Sequence, residues 1–347
     1  MTATPEQTPM PAEPPVRRGV GHAERRVGVE IEFGGLDAAT AARVLAGTIG
    51  GEVRTISAQE YVVESPAHGA FRVELDARWS HPDFVAEHLG DVPPEWREGL
   101  DVRIAGAVAA VAGQVMPVEI VAPPVPWHDL GLMNGLCHAL AAAGARGTAH
   151  SAFAGFGMHL NVEAVSLDAP YLLRMLRAYV ILSQWLRRES RLATIRQVQS
   201  YIDPFPIAYA HHILAPDYEP DEERLIRDHL SFNPSRDYEL DMLPIFATID
   251  ADLVESLLPG QKNSPRPTFH WRLPNCRLDE PVWDPLDDWS RWVAVERLAH
   301  DEAALAAEAE RFLKEGPQSE FAARMGRIMD ALGLDTAVPG TTERPKP

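Results

Sequence analysis

Two glutamates near the start of the sequence, Glu30 and Glu32, are spaced so that they could bind a divalent cation. They lie in the segment Arg26–Phe33, where Val, Ile and Phe alternate with Gly and Glu. In a β-strand, both carboxylates would lie on one face, about 7 Å apart, and the apolar residues would lie on the other. Like charges at that spacing repel each other, and a hard cation would relieve the repulsion. The alternative is the solvated face of an antiparallel sheet, where glutamate is common.

Later segments repeat this alternation, and the residues on their polar faces could join the first two glutamates. These residues are Glu119 in 115–121, His159 and Asn161 in 156–163, and His270 and Arg272 in 268–273. A further segment, 71–76, carries Glu74 and Asp76. These two could instead pair with Arg72 and Arg78 on a solvated strand face, and for Glu74 that pairing is favoured. The recurrence favours one polar sheet face that gathers carboxylates, histidine and arginine.

Strands with one apolar and one polar face predict an α+β fold, in which helices cover one face of a mainly antiparallel sheet. An all-parallel sheet would need strands that are apolar on both faces. Apolar periodicity and capping residues predict helices at 38–49, 82–89, 94–112, 130–143, 168–191, 220–230, 236–258, 286–314 and 320–332. The site would then lie on the face that the helices leave open.

Composition and charge limit the classes of partner. The 347 residues carry a net charge of -18, which argues against nucleic acids and anionic membranes as partners. The polar, Pro-rich ends predict a disordered tail at 1–20 and a flexible tail at 336–347, around one catalytic domain at 21–335. No apolar run reaches membrane-spanning length and no signal-peptide core is present, so we expect a cytoplasmic protein.

The predicted polar face suits a hard divalent metal ion such as Mg²⁺ or Mn²⁺. Such ions bridge nucleotide phosphates, and arginine neutralises the phosphate oxygens that the metal leaves free. The face therefore fits ATP with metal better than a bare hydrolytic centre. The sequence contains no HExxH, GxxxxGK[ST] or GxSxG motif and no GxGxxG opening a βαβ unit. These absences argue against zinc hydrolases of the HExxH type and against P-loop, Rossmann and α/β-hydrolase proteins.

Several segments resemble, in order, motifs of the amidoligase family, whose members are relatives of glutamine synthetase and glutamate–cysteine ligase in the carboxylate–amine ligase group. The segment 27–33, Val-Gly-Val-Glu-Ile-Glu-Phe, is similar to the opening motif of the family. The segment 118–124, Val-Glu-Ile-Val-Ala-Pro-Pro, is similar to its Glu-Leu-Val-Ser-Pro segment. The segment 157–162, Gly-Met-His-Leu-Asn-Val, is similar to its Gly-x-His-x-His-Val strand. Phe-His-Trp-Arg at 269–272 lies where the family shows Glu-Phe-Arg. Asp76 resembles an Asp that precedes the strand of Glu119. Together these segments span about residues 25–300.

The resemblance implies a glutamine synthetase-like twisted sheet, with a funnel-shaped site for ATP and two or more Mg²⁺ (or Mn²⁺) ions. A substrate carboxylate would be phosphorylated to an acyl phosphate, and an amine would displace phosphate to leave an amide or isopeptide bond. The metal ligands that the resemblance implies are Glu30, Glu32, Asp76, Glu119 and His159. Arg272 is implied to hold the transferring phosphoryl group, stabilising the charge that builds up in the transition state.

Two residues depart from the family pattern. Asn161 replaces the second histidine of the 157–162 strand, and it could still coordinate a cation or the nucleotide–metal complex through its carbonyl oxygen. His270 replaces a glutamate two residues before Arg272. His270 could take a catalytic role beside Arg272 by binding phosphate, or the site could use fewer ions, or activity could be lost.

Three functions follow from these residues. The leading one is an ATP- and Mg²⁺-dependent carboxylate–amine ligase. The second is a catalytically degenerate protein of the same fold that binds a nucleotide or peptide, which His270 and Asn161 favour. The third is a metal-dependent hydrolase that works without ATP. The sequence leaves open which small-molecule or peptide carboxylate and amine would react, and also the oligomeric state, a homo-oligomer included.

Overall fold

The structure, a computed structural model, describes residues 10–75, 117–148, 156–190, 202–261, 264–281 and 283–316. Nine strands of these residues form one sheet. The strands are β1 (Arg26–Phe33), β2 (Glu52–Thr55), β3 (Glu60–Ser65), β4 (Gly69–Leu75), β5 (Val118–Val121), β6 (Val125–Pro126), β7 (Met158–Glu163), β8 (Leu240–Asp241) and β9 (Thr268–Trp271). They run in the order β2-β3-β4-β5-β1-β7-β9-β8, and β6 pairs with the first residues of β1.

Every pairing between these named strands is antiparallel. The helices of the described residues are α1 (Ala38–Ile49), α2 (Gly131–Ala143), α3 (Ala169–Glu189), α4 (Ile207–Leu214), α5 (Glu222–Phe232), α6 (Leu243–Ile249), α7 (Ala251–Leu257), α8 (Pro285–His300) and α9 (Glu302–Glu315). The predicted α+β class with a mainly antiparallel sheet is therefore confirmed.

Helices cover the apolar face of the sheet. Trp292 of α8 lies 5.4 Å from Phe269 and 5.7 Å from Trp271, measured between ring centroids, so α8 packs on β9. Tyr171 of α3 lies 6.2 Å from the same Phe269 ring, and α1 packs on β2, β3 and β4. The inward side chains of β1, from Val27 to Phe33 at every second position, are fully or almost fully buried in this core. Burial of such side chains is the main stabilising contribution to the fold.

Capping residues set the limits of α1 as the sequence predicts. The Asp37 carboxylate accepts a 2.6 Å hydrogen bond from the Thr40 backbone N–H at the first turn. Gly50, with φ at 70°, ends the helix in a left-handed conformation that glycine adopts without strain.

The prediction of one helix over 236–258 is wrong. Leu240–Asp241 forms β8, the edge strand beside β9, and two short helices follow. The Asp241 carboxylate accepts the Leu243 backbone N–H at 2.9 Å, which starts α6 after the strand. Asp250 has an extended backbone and caps α7 through the Leu253 N–H at 2.8 Å, which separates α7 from α6.

The prediction of one helix over 286–314 is also wrong. Asp301 interrupts it, with φ at -96° and ψ at 89°, between α8 and α9. The Asp301 carboxylate accepts the Ala304 N–H at 2.9 Å, so a cap competes with a continuous helix at this residue. The helices predicted at 82–89, 94–112 and 320–332 lie outside the described residues, as do Asp76 and Arg78.

Residues in the segment 10–20, part of the tail expected to be disordered, make hydrogen bonds to the domain. The Trp289 indole N–H donates to the Ala12 carbonyl at 2.7 Å. The Val20 N–H donates to the Ala164 carbonyl at 3.0 Å. This segment thus leads into β1 along a defined path. Among the helices that the structure describes, none combines the length and apolar character needed to cross a bilayer.

Candidate metal and nucleotide site

Strand register brings the predicted polar residues together on the polar face of the sheet. Glu30 of β1 lies directly opposite His159 of β7, and Gly28 lies opposite Asn161. Asn161 lies in turn opposite His270 of β9. A Cβ added at Gly28 would lie 3.3 Å from the Asn161 Cβ, so a larger residue there would crowd this row.

Glu30 is the centre of a first group of possible metal ligands, the Glu30–His159–His270 group. Its carboxylate lies 3.0 Å from His159 Nδ1 and accepts a 2.8 Å hydrogen bond from the Asn161 side-chain N–H. His270 Nε2 lies 3.8 Å from Glu30 Oε2. Because a carboxylate only accepts, His159 must donate through Nδ1, and its neutral ring then carries a lone pair on Nε2.

The second group, the Glu32–Glu119–His159 group, shares His159 with the first. Glu32 lies directly opposite Glu119 of β5, where two carboxylates repel each other unless a positive charge lies between them. One Glu32 oxygen accepts the Gly157 N–H at 2.8 Å, and the other lies 3.9 Å from His159 Nε2. Possible ligand atoms of the three residues lie within 4.8 Å of one another.

Asp241 is a site residue that the sequence reasoning missed, because it was assigned to a helix. Its Oδ2 lies 3.3 Å from His270 Nδ1. The other carboxylate oxygen accepts the Leu243 N–H, and Arg236 Nη2 lies 3.5 Å from Oδ2. The available signal was the alternation of Leu240 and Met242 with acidic neighbours ahead of Pro244, which a two-residue strand makes easy to overlook.

Arginine side chains lie on the β7–β9–β8 side of the site. Arg266 donates to the Asn161 carbonyl oxygen at 2.7 Å, so both ends of that amide are engaged. Arg272 is buried two residues beyond His270, and its Nη1 donates to the Arg236 carbonyl at 2.6 Å. Its Nη1 also lies 3.5 Å from Asp237 Oδ1. This side of the site therefore carries positive charge next to the ligand groups.

Burial and neighbouring charges set the ionisation of the central groups. Burial alone would raise the pKa of Glu30, but the His159 and His270 imidazoles hold it well below its usual value. Burial lowers the pKa of His159, although Glu30 and Glu32 partly oppose this effect. Burial would also raise the pKa of Asp241, yet His270 and two arginines keep it lowered. The site therefore holds ionised carboxylates around a neutral His159.

The structure brings together most of the residues selected from the sequence. Those gathered on the polar face are Glu30, Glu32, Glu119, His159, Asn161 and His270. Arg272 lies on the same face, but its described hydrogen bond is to the 236–237 loop. Glu74 lies opposite Glu119 in the sheet. Its Oε2 lies 3.3 Å from Arg72 Nε, and this is the ion pair that the sequence favoured. Asp76 is outside the described residues.

The donor set fits a divalent cation. His270 Nε2 is buried and has no hydrogen-bond partner within the described part of the chain, so a ligating atom is available at the centre of the site. Carboxylate oxygens and imidazole nitrogens are the donors that Mg²⁺, Mn²⁺ and related ions use in proteins. The arrangement could thus hold one cation at each ligand group.

Sequence comparison relates the chain to a known protein family. A family model described as "Putative amidoligase enzyme" matches residues 23–294, which include every site residue named above. No curated protein matches the chain in sequence.

Proposed function

This chain belongs to the amidoligase enzyme family, and we propose that it is an ATP- and Mg²⁺-dependent (or Mn²⁺-dependent) carboxylate–amine ligase with a glutamine synthetase-like site. The observation that carries the proposal is the pair of ligand groups that share His159 on the polar face of the sheet. Arginines lie beside these groups, as expected for a site that holds both metal ions and phosphate. Family membership supports an amide-forming ligase, and the side chains support the use of ATP.

The two ligand groups would hold the cations. Glu32, Glu119 and His159 would form the oxygen-rich position, and Glu30 with His270 would form the neighbouring one. Bound there, divalent cations would neutralise the negative charge of the nucleotide phosphates. Glu30 is already held by Asn161 and His159, so this carboxylate needs little rearrangement to act as a ligand.

The arginines would orient the anionic part of the reaction. In the proposed reaction, an oxygen of the substrate carboxylate attacks the γ-phosphorus of ATP, and the bond to the ADP oxygen breaks. The amine then attacks the acyl carbon, phosphate leaves, and the amine loses a proton. Arg272 and Arg266 would stabilise the charge that develops on the transferring phosphoryl group, which is where fixed positive groups contribute most.

A trapping experiment tests this proposal. Hydroxylamine replaces the amine, ATP and Mg²⁺ are supplied, and a panel of amino acids and short peptides provides the carboxylates. The proposal predicts a hydroxamate formed in equal amount to ADP, and a loss of about 100-fold or more in Glu30→Gln. Glu64→Gln on β3, an exposed residue outside the ligand groups, is the matched control and should retain activity.

A metal-dependent hydrolase is the second candidate, and one observation favours it. The Glu30–His159–His270 group supplies two histidines and one glutamate, the donor set of some zinc hydrolases. The same assay separates the two functions. Cleavage of an amide or phosphoester without ATP, with no ATP-dependent hydroxamate from any acid, would replace the ligase proposal with the hydrolase.

A further inference from the structure

We propose that the Glu30–His270 position selects a transition-metal ion that binds imidazole nitrogen, such as Mn²⁺, Co²⁺ or Zn²⁺, over Mg²⁺, and that Asp241 is the positioning residue that presents His270 to this ion. The inference rests on the cation site of the proposed function, but not on its ATP chemistry.

Asp241 determines which nitrogen of His270 faces the site. Its Oδ2 lies 3.3 Å from His270 Nδ1, and a carboxylate oxygen accepts but does not donate. When the ring carries a single proton, that proton lies on Nδ1, and Nε2 presents a lone pair. This nitrogen is buried and has no hydrogen bond to any described residue.

The group that faces this lone pair is itself an acceptor. Glu30 Oε2 lies 3.8 Å from His270 Nε2, and the other Glu30 oxygen accepts the Asn161 N–H. Two acceptors that face each other in a buried site are unfavourable without a positive charge between them. A cation bound to both atoms would satisfy His270 and Glu30 at once.

The surroundings hold both ligands in place. Asp241 is fixed by the Leu243 N–H at 2.9 Å and by Arg236, so its orientation does not depend on the ion. A carboxylate that orients a ligating imidazole is a recurrent feature of metal sites and makes the imidazole a better donor. Asp241 would act on the ion through His270 rather than by touching it.

The chemistry of the donors sets the preference among ions. Mg²⁺ prefers an all-oxygen environment, whereas imidazole nitrogen favours Mn²⁺, Co²⁺ and Zn²⁺ progressively more. The Glu30–His270 position offers one carboxylate and one imidazole, because His159 donates to Glu30 and directs its other nitrogen to Glu32, while the Glu32–Glu119–His159 group offers two carboxylates and one imidazole. The two positions should therefore differ in metal preference, with Mg²⁺ better suited to the second.

Metal titrations of the nucleotide-free protein test the inference. Co²⁺ binding is followed by its visible absorption, which reports nitrogen ligation, and Mg²⁺ binding is followed by calorimetry. In His270→Glu, the preference for Co²⁺ over Mg²⁺ should fall about tenfold or more relative to the wild type. The matched control is His212→Gln, since His212 pairs with Asp228 outside the site; it should keep the wild-type preference. An unchanged preference in His270→Glu would overturn the inference.

Asp241→Asn tests the positioning role. This variant should bind Co²⁺ about 10- to 100-fold more weakly while its Mg²⁺ affinity changes little. Nitrogen-15 NMR of histidine-labelled wild-type protein gives a readout that needs no variant to fold: Zn²⁺ should shift the Nε2 resonance of His270 and Mg²⁺ should not. An unchanged chemical shift of the His270 Nε2 resonance on addition of Zn²⁺ would contradict the inference.

These titrations also separate the inference from the ligase proposal. Selective Co²⁺ binding in a protein that forms no hydroxamate would remove the ligase function and leave the metal selectivity standing. Hydroxamate formation by the wild type, together with an equal metal preference in the wild type and in His270→Glu, would keep the ligase function and remove the metal selectivity.

Discussion

At the scale of single residues, the proton positions on two histidines decide what the site can bind. His159 donates through Nδ1 to Glu30, and His270 donates through Nδ1 to Asp241. Both rings therefore direct an Nε2 lone pair towards carboxylate oxygens, at 3.9 Å for His159 and 3.8 Å for His270. At two adjacent positions an imidazole nitrogen thus faces a carboxylate oxygen, and the proposed cation site rests on this arrangement.

A third buried histidine, His229, gives a pH-dependent stability. Its Nδ1 lies 2.7 Å from the Tyr209 hydroxyl oxygen. Burial lowers the pKa of His229 from 6.5 to about 3. Between these two values the unfolded chain takes up a proton that the folded state excludes, so folding stability falls as the pH falls. From pH 7.5 to pH 5 this histidine should remove about 2 kcal/mol from the free energy of unfolding.

Urea denaturation at both pH values checks this prediction. His229→Gln should lose about 2 kcal/mol less than the wild type on acidification, because its side chain does not titrate. The control is the exposed His211→Gln, which should follow the wild type. Equal pH dependence in wild type and His229→Gln would show that burial does not hold His229 neutral.

At the scale of elements, alternation along strands was readable from the sequence, but pairing between strands was not. The two-residue period by itself places Glu30 and Glu32 on one face. That Glu32 lies opposite Glu119 depends on register, which distant turns and packing fix. The sequence did not predict β8 for a related reason. Two residues, Leu240–Asp241, are too few to show the alternation of a strand, and they form one by pairing with β9. Without β8, Asp241 was not predicted as a site residue.

Caps act locally, so the sequence predicted both ends of α1, although it missed the caps at Asp250 and Asp301 that divide longer apolar stretches. The cap of α1 allows a direct test. Asp37→Ala removes the acceptor of the Thr40 N–H and should lower the free energy of unfolding by about 1 kcal/mol. Asp37→Asn, which keeps a capping oxygen, should lose much less. Urea unfolding at neutral pH measures both. Equal losses in the two variants would mean that the cap does not stabilise α1.

At the scale of the whole molecule, the packed core and the candidate site lie on opposite faces of the sheet. Helices cover one sheet face, and a buried ion pair between Arg25 and Glu296 joins the start of β1 to α8, with Arg25 Nη1 at 2.8 Å from Glu296 Oε2. Trp292 donates to the same carboxylate at 2.6 Å. The other face carries the polar residues, where arginines lie beside carboxylates in a chain of net charge -18.

The measurement that tests the account most directly is calorimetric titration of ATP into the protein with and without Mg²⁺, repeated with Glu30→Gln. ATP should bind in the presence of Mg²⁺, bind about tenfold or more weakly without it, and weaken similarly in Glu30→Gln. Glu64→Gln should behave as the wild type. Absence of ATP binding in both conditions, or metal-dependent binding that Glu30→Gln leaves unchanged, would contradict a nucleotide site on the polar face of the sheet.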